Sequence, residues 1–461
     1  MAGSVRRRGA IVAAKRPTSN GLHPRLRAAE KRLIERYDHV TAIPNRLLFL
    51  SDFKRLRGRS GKGRLLALLT LCDARHYNEI LRALGHAFSE EFVRAGLERL
   101  REMLPPEIAV YHVSVLSFAF VIEHEGTDVP ELAREIADGF AHDLVVDDIP
   151  VRTKVGLGLM PLQAAAMDPA EVLRAVLVAA QDSRRSDAGI AFYNNRSDAA
   201  HRRAFTLLAD LPKALKAKER QLSLAFQPRV DMATGACHGA EALLRWRHPT
   251  LGNVPPAEFI PLAEQTALIH PLTDWVLDHA LAAAARLRDA GHRLKISVNA
   301  SPLNLSEPGF DDKLFWALDK HGLETSALEI EFTEGTMAAN QERATRQLER
   351  IRKAGIRVAI DDFGTGFSNL SYLRAIPADV LKIDQSFIRP LTVADSFMVQ
   401  QILAMAHGLG LDVCAEGIET AEAFGLLRSL GCDEGQGYHI GRPMPEADLL
   451  HWLGGEYALA M

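Results

Sequence analysis

The spacing of hydrophobic and polar positions changes several times along the first half of the chain, and each change predicts a new element. Stretches with apolar residues three or four positions apart predict helices at residues 77–104, 130–142 and 169–184. Short apolar runs predict strands at residues 64–71, 108–113, 117–123 and 151–159. These strands, with helices between some of them, favour an α+β domain around a sheet rich in antiparallel pairs.

A different pattern begins near residue 222, where short β-rich runs alternate with spacers that contain good helix formers, such as residues 277–289 and 342–354. Strand and helix alternate in this way over about 240 residues, which is typical of a parallel α/β domain and fits one barrel. We therefore predict an α/β chain whose C-terminal part is a (β/α)8, TIM-like barrel.

The predicted boundaries give four segments, which are a basic arm at 1–33, the α+β domain at 34–197, a linking helix at 198–220 and the barrel domain at 221–457. Residues 1–32 contain nine Lys and Arg but only one acidic residue. We interpret the arm as a flexible, solvated tail, with weak contact to an anionic lipid or nucleic-acid surface as the alternative.

The composition narrows the class of protein. A hydrophobic fraction of 47% and a charged fraction of 25% over 461 residues are ordinary for a globular chain and exclude a largely disordered or fibrous one. The net charge of −3 gives no chain-wide basic surface for nucleic acid. Four dispersed cysteines without a CxxC pair and the lack of a run of ~20 apolar residues predict a cytoplasmic protein without a transmembrane segment.

Potential metal ligands stand where the apolar runs of the second domain end. In a barrel such positions face the C-terminal mouth, so we expect their side chains to converge in one pocket. The residues in question are Glu241, Asn299, Glu331, Asp361, Asp362, Lys382 and Glu416.

Five carboxylates in one pocket repel one another and therefore need countercharge. Oxygen ligands from carboxylates, an amide and water suit Mg²⁺ or Mn²⁺. The adjacent pair Asp361 and Asp362 can serve two ions, in a site of the kind that activates water and stabilises a phosphoryl oxyanion. Lys382, inside an apolar run, is costly to bury unless it is paired, and it is a candidate for holding the attacking water or offsetting phosphate charge.

The second domain contains an ordered set of short motifs. Residues 241–243 read EAL, and they are accompanied by QP at 227–228, FIPLAE at 259–264, DDFGTG at 361–366, KID at 382–384, AEGIE at 415–419, QGY at 436–438 and RP at 442–443. With these motifs the chain resembles the EAL family of cyclic di-GMP phosphodiesterases over residues 222–453. Two positions depart from the usual pattern, Ala300 where Leu is usual and Gly335 where Ser is common, and neither removes a ligand.

The resemblance implies a role for each site residue and hydrolysis of cyclic di-GMP to linear pGpG with two Mg²⁺ or Mn²⁺ ions. One ion would be held by Glu241, Asn299, Glu331 and Asp361, and the second by Asp361, Asp362 and Glu416. Lys382 would orient the nucleophilic water, and Glu334 would support the loop after Asp362. The nucleotide would be contacted by Gln227, Arg245 and Gln436, with Arg245 suited to phosphate.

The first domain contains two short motifs, TAIPNR at residues 41–46 and LGH at residues 84–86. With them it resembles a GGDEF module, the fold of diguanylate cyclases, over residues 37–193, where TGLPNR is usual for the first motif. The signature position, residues 114–118, reads SVLSF, with Ser117 in place of the acidic metal ligand. Asp73 is kept as a possible metal ligand, and Leu81 stands where an Asn is expected. This resemblance implies a degenerate domain without cyclase activity and with a regulatory or dimerising role, and we predict a homodimer.

Three other functions remain open from the sequence. The barrel could be a catalytically silent receptor for cyclic di-GMP, although such members usually lack metal ligands. A different metal-dependent barrel of the enolase type also combines strand-end carboxylates with a lysine. The whole chain could instead be an interaction scaffold, which only the basic arm and the degenerate first domain support.

Overall fold

The computed structural model describes residues 35–58, 64–123, 129–162, 168–184, 189–217, 221–333, 341–364, 373, 376–389, 391–392 and 396–455. The chain divides into two compact units between His201 and Arg202. The predicted basic arm and the predicted loop support, Glu334, lie outside the described residues. Within the described ranges, no helix is both long enough and apolar enough to cross a bilayer.

The first unit contains a five-stranded sheet and a separate hairpin. Its strands are β1 (Arg64–Thr70), β2 (Val110–Ser114), β3 (Ser117–Glu123), β4 (Leu144–Val146), β5 (Ile149–Val151), β6 (Gly156–Pro161) and β7 (Ile190–Phe192). The sheet order is β2-β3-β1-β6-β7, with a parallel pair only at β6–β7, and β4 pairs with β5. Its helices are Arg46–Gly58, Ala74–Met103, Val129–Gly139 and Pro169–Ser183. The predicted α+β class is confirmed.

The sheet of the first unit is covered on both faces. Along β1, Ala67 and Leu69 belong to one hydrophobic core, and Leu66 and Leu68 belong to the other. Successive side chains of a strand point to opposite faces, so a strand that is buried on both sides has no polar alternation. This explains the continuous apolar run that predicted β1.

Two local features differ from the predicted pattern. The single strand expected at residues 151–159 is the end of β5 and most of β6, separated by residues 152–155. Gly85 has φ 84° and ψ 178° inside the helix Ala74–Met103, so the helix is interrupted at that point. Glycine adopts such a positive φ without the steric cost that a Cβ would add, which accounts for the LGH sequence there.

The second unit is an eight-stranded barrel with one additional edge strand. Its strands are β8 (Leu222–Asp231), β9 (Cys237–His248), β10 (Gly252–Val254), β11 (Lys295–Asn299), β12 (Leu328–Thr333), β13 (Arg357–Phe363), β14 (Val380–Ile383), β15 (Asp412–Ala415) and β16 (Glu434–Gln436). All of them except β10 form the closed ring, in the order β8-β9-β11-β12-β13-β14-β15-β16. The predicted C-terminal barrel is confirmed.

Helices surround this barrel. They are Pro256–Glu264, Ile269–Asp289, Pro302–Ser306, Phe310–Lys320, Gln341–Lys353, Gln385–Ile388, Phe397–Gly408, Ala421–Ser429 and Glu446–Gly454, with a 3-10 turn at Thr325–Ala327. The helix Asn195–Lys216 crosses the boundary between the units, and its Leu207, Leu211 and Ala214 are buried in the hydrophobic core of the barrel. The face of the helix that contains these three residues therefore packs on the barrel.

The first barrel strand runs against the direction of the others. β8 pairs antiparallel with both β9 and β16, whereas the other neighbouring pairs of the ring are parallel. Five residues, 232–236, join β8 to β9, and Gly235 among them has φ 73°. A parallel connection needs a crossover of about a dozen residues or more, so a link this short can only make a hairpin. The expected all-parallel order thus fails at this strand.

Candidate active site

The barrel brings the predicted ligands together by strand register. Glu241 lies beside Ser297 of β11, Asn299 lies beside Glu331, and Asp361 pairs with Thr333. A cavity of about 310 Å³ opens at the carboxyl ends of these strands. The predicted residues that line it are Gln227, Glu241, Arg245, Asp361, Glu416 and Gln436.

Lys382 is the centre of the cluster and is fully buried. Its Nζ lies 2.5 Å from Glu331, 2.7 Å from Glu416, 3.1 Å from Asp361 and 3.7 Å from Glu241. Burial by itself lowers the pKa of Lys382, but the carboxylates, Asp361 foremost, raise this pKa well above its ordinary value. The lysine is therefore a charged hydrogen-bond donor in contact with three of the acids that line the cavity.

Both oxygens of Glu241 accept hydrogen bonds from amide side chains. Asn299 Nδ2 donates to Oε1 at 2.9 Å, and Gln436 Nε2 donates to Oε2 at 2.7 Å. Gln436 Nε2 also lies 3.1 Å from Gln227 Oε1, and Gln227 Nε2 donates to the backbone oxygen of Gly441. Burial raises the pKa of Glu241, but Lys382 and these amides bring it below its ordinary value, so this carboxylate is ionised.

A group of three acids includes two of the partners of Lys382. One oxygen each from Asp361, Asp362 and Glu416 lies within 4.8 Å of the other two. Asp362 has φ 55°, a left-handed backbone conformation that is uncommon for a residue other than glycine, and its N–H donates to Asp361 Oδ1 at 3.0 Å. The register between β13 and β14 shifts at this point. Backbone strain of this kind concentrates at functional sites, and here it accompanies the convergence of three acids.

The site has more negative charge than one lysine can neutralise. Burial raises the pKa of Glu416 to about 8, and burial together with the charge of Asp361 raises the pKa of Asp362. Glu331 is fully buried, its pKa is raised well above the ordinary value by burial, and its Oε1 has no hydrogen-bond partner among the described residues. An all-oxygen donor set with this surplus of negative charge fits divalent cations such as Mg²⁺ or Mn²⁺.

Family comparisons agree with this geometry. Residues 208–443 match the family described as EAL domain, and residues 35–187 match the family described as diguanylate cyclase, GGDEF domain. The chain belongs to the EAL family of cyclic di-GMP phosphodiesterases. The family predicted from the sequence motifs is confirmed, and so is the order of a GGDEF domain followed by an EAL domain.

Two curated relatives from Pseudomonas aeruginosa illustrate the similarity. The cyclic di-GMP phosphodiesterase PA2567 is 39% identical over 420 residues, which cover 90% of this chain and 71% of the relative. The cyclic di-GMP phosphodiesterase NbdA is 34% identical over 433 residues, which cover 92% of this chain but only 55% of the relative. A solved structure described as the PaMucR phosphodiesterase in complex with c-di-GMP is 42% identical, with a TM-score of 0.50, over 53% of this chain and 99% of that one.

In the GGDEF domain, the hairpin of β2 and β3 contains the signature position. Ser114 pairs with Ser117, Val115 at the turn is exposed, and Ser117 is buried with its Oγ 3.1 Å from Thr70 Oγ1. Asp73 accepts a hydrogen bond from the backbone N–H of His76 and lies 2.7 Å from Arg184 Nη2. These two contacts lower the pKa of Asp73, so the one acidic side chain retained as a possible ligand is already paired with a guanidinium.

Sequence reasoning missed a layer of charge beneath the EAL site. Arg229 is 1% exposed, and its guanidinium lies 2.6 Å from Glu329, 3.0 Å from Glu434 and 3.7 Å from Glu331 Oε1. The only signal in the sequence is the alternation of Glu329 and Glu331 inside an apolar strand. Because Glu331 also contacts Lys382, this layer is electrostatically continuous with the carboxylate cluster around that lysine.

Replacing Arg229 by Met is expected to lower the free energy of unfolding of the barrel by about 3–5 kcal/mol, the usual scale for removing one partner of a buried ion pair. Met fills much of the space but leaves Glu329 and Glu434 without their shared countercharge. Urea unfolding followed by circular dichroism measures the change, and Arg247→Met, at an exposed position of β9, is the matched control. Equal stability of the two variants would contradict this interpretation of the buried layer.

Proposed function

We propose that the EAL domain hydrolyses one phosphodiester bond of cyclic di-GMP to give linear pGpG and that it uses two divalent cations, Mg²⁺ or Mn²⁺. The observation that carries the proposal is the cluster of five carboxylates and one amide around the buried Lys382 at the mouth of the barrel. The relatives named as cyclic di-GMP phosphodiesterases support the substrate, since their similarity covers nine-tenths of this chain.

The proposed ligands form two sets that share Asp361. Glu241, Asn299, Glu331 and Asp361 would hold one cation, and Asp361, Asp362 and Glu416 would hold the other. When bound, such cations neutralise the carboxylates, lower the pKa of a bound water and stabilise charge on the phosphoryl oxygens. The amides of Asn299 and Gln436 fix the orientation of Glu241, which keeps its oxygens in place before substrate arrives.

The remaining predicted residues act on water and substrate. Lys382 is protonated and therefore donates hydrogen bonds, which suits it to orient the oxygen of the attacking water. The guanidinium of Arg245 at the cavity wall can form a bidentate pair with a phosphate. Gln227 and Gln436 contact the nucleotide in this proposal. Glu334 remains a prediction as the support of the loop after Asp362.

The degenerate GGDEF domain is proposed to regulate or to dimerise rather than to make cyclic di-GMP. The hairpin at residues 114–118 lacks the glycines and the acid of the signature, and Arg184 already pairs with Asp73. A homodimer and a cytoplasmic location stay predictions, as does weak contact of the basic arm with anionic surfaces. A silent receptor is not favoured, because none of the expected metal ligands is missing from the sequence.

The deciding experiment incubates the purified full chain with cyclic di-GMP and Mg²⁺ or Mn²⁺ and separates the products by chromatography. We expect pGpG to accumulate with either metal and to stop forming when EDTA is added. A parallel incubation with GTP and Mg²⁺ should yield no cyclic dinucleotide. Persistent hydrolysis in EDTA would refute the metal requirement, binding of cyclic di-GMP without any product would establish the receptor, and synthesis from GTP would refute the regulatory assignment of the first domain.

A further inference from the structure

A second cavity, of about 300 Å³, lies at the end of the barrel opposite to the catalytic mouth. Lys295 is the first residue of β11, and His238 is the second residue of β9, so both mark the amino-terminal ends of parallel strands. The 3-10 turn Thr325–Ala327, just before β12, contributes another wall. Because the carboxylate cluster lies at the carboxyl ends of the same strands, the catalytic reaction does not account for the residues of this cavity.

Cationic side chains predominate in the lining. Arg288, Arg293 and Lys295 face one acidic residue, Glu324. Arg288 is already engaged, since it donates to Asp289 Oδ1 at 2.8 Å and to the backbone oxygen of Gly322 at 2.5 Å. Arg293 and Lys295 form no ion pair with any carboxylate of the described residues. Two positive charges therefore remain without a partner in a concave surface.

Lys295 is the more constrained of these two cations because it is half-buried. Burial lowers its pKa, and the neighbouring guanidinium of Arg357 lowers it further. The carboxylates of Glu329 and Glu434 raise this pKa only in part, and both already pair with Arg229, as Glu434 also does with Arg357. An anion supplied from solution would complete the set of charges at this end of the barrel.

The rest of the lining indicates the size and character of such an anion. Ala284, Leu294, Leu323 and Ala327 form an apolar wall beside the cations. At about 30 Å³ per water molecule, the cavity holds on the order of ten waters, which is more space than an inorganic phosphate fills. It also falls at the lower end of the range of about 300–1,000 Å³ typical of small-molecule sites.

We propose that this cavity binds the phosphate monoester of a small metabolite. The doubly charged phosphate matches the two unpartnered cations, and the planar guanidinium of Arg293 provides two parallel donors for its oxygens. The uncharged remainder of the molecule lies against the apolar wall. This site is separate from the proposed hydrolysis of cyclic di-GMP and does not depend on it.

The test titrates the full chain with ribose 5-phosphate in isothermal calorimetry, with EDTA present to keep metal out of the carboxylate cluster. We expect saturable binding that the double variant Arg293→Ala, Lys295→Met weakens at least tenfold, while ribose itself does not bind. The matched control removes two exposed cations from the helix Gln341–Lys353, as Arg343→Ala, Lys353→Ala, and should bind within about twofold of the unaltered chain. Higher salt should weaken binding to the unaltered chain.

Three results would overturn the proposal. The first is the absence of saturable binding up to about 10 mM ribose 5-phosphate, because recognition by two positive charges should give a dissociation constant below that concentration. The second is equal affinity of the cavity variant and the surface control. The third is equal affinity for ribose and its phosphate. Arg293→Ala alone, at an exposed position, keeps the test valid if the Lys295 variant fails to fold, and it should still weaken binding several-fold.

Discussion

Alanine in place of Glu241 is expected to abolish formation of pGpG, with a loss of about 10³-fold or more in kcat/KM. Substituting a residue that only supports a metal ligand already lowers metal affinity or activity by about 10–100-fold, and loss of a ligand itself should have a larger effect. Glu241 belongs to the proposed first ligand set, and both of its oxygens are held by amides at 2.9 and 2.7 Å. The substitution removes a negative charge from that set. It also leaves Asn299 and Gln436 without their acceptor in a buried site.

The measurement is the initial rate of pGpG formation at saturating Mg²⁺, followed by chromatography, together with calorimetric titration of Mn²⁺ to read metal affinity. Glu349→Ala, at an exposed glutamate on the helix Gln341–Lys353, is the matched control and should retain full activity. Undiminished hydrolysis by the Glu241 variant would refute its assignment as a ligand. Circular dichroism of the variant separates this effect from loss of the fold.

For Lys382, substitution by alanine should lower kcat by about 10² or more while cyclic di-GMP still binds, as expected for loss of a positioned catalytic group. The lysine lies within 3.7 Å of four carboxylates and has no exposed surface. Its removal therefore takes away a hydrogen-bond donor for water and also a countercharge. Metal affinity will change in consequence, so activity has to be read at saturating Mg²⁺ or Mn²⁺.

A fluorescent-nucleotide titration with and without metal distinguishes the two effects of this substitution. Lys382→Met keeps most of the side-chain volume and therefore removes the charge without leaving a large cavity. Lys353→Ala on the surface is the matched control. Wild-type kcat in the Lys382 variants would rule out the water-positioning role. So would complete loss of nucleotide binding in a variant that is shown to be folded.

Most of the carboxylate cluster was predictable because its members other than Glu241 come at or near the end of an apolar strand, whereas Glu241 is the fifth of the twelve residues of β9. Parallel strands of a barrel end at one mouth, so the strand-end positions of Asn299, Asp361 and Glu416 were enough to predict that they meet. The same argument placed Lys382 among them. The roles of Gln227, Arg245 and Gln436 came from the family resemblance, and these roles remain proposals.

The direction of β8 was not predicted, although its cause is visible in the sequence. The turn at residues 232–236 is too short for a crossover, yet the regular alternation of the following elements suggested that every strand was parallel. The three-residue strands β4 and β7 were also missed, because three positions are too few to show a period.

The sequence by itself determined the domain order and the family, because these depend on local patterns and short motifs that can be read residue by residue, and it predicted a set of oxygen ligands on the same basis. Only the tertiary structure decided how the side chains pair. Arg229 and Glu329 are 100 positions apart, and Gln436 and Glu241 are 195 positions apart, yet each pair forms a hydrogen bond. Such contacts arise from closure of the barrel, which sets the neighbours of each buried charge and leaves no trace in the local hydrophobic pattern. For the same reason only the folded barrel brings Arg293 and Lys295 to a cavity beside the turn before β12.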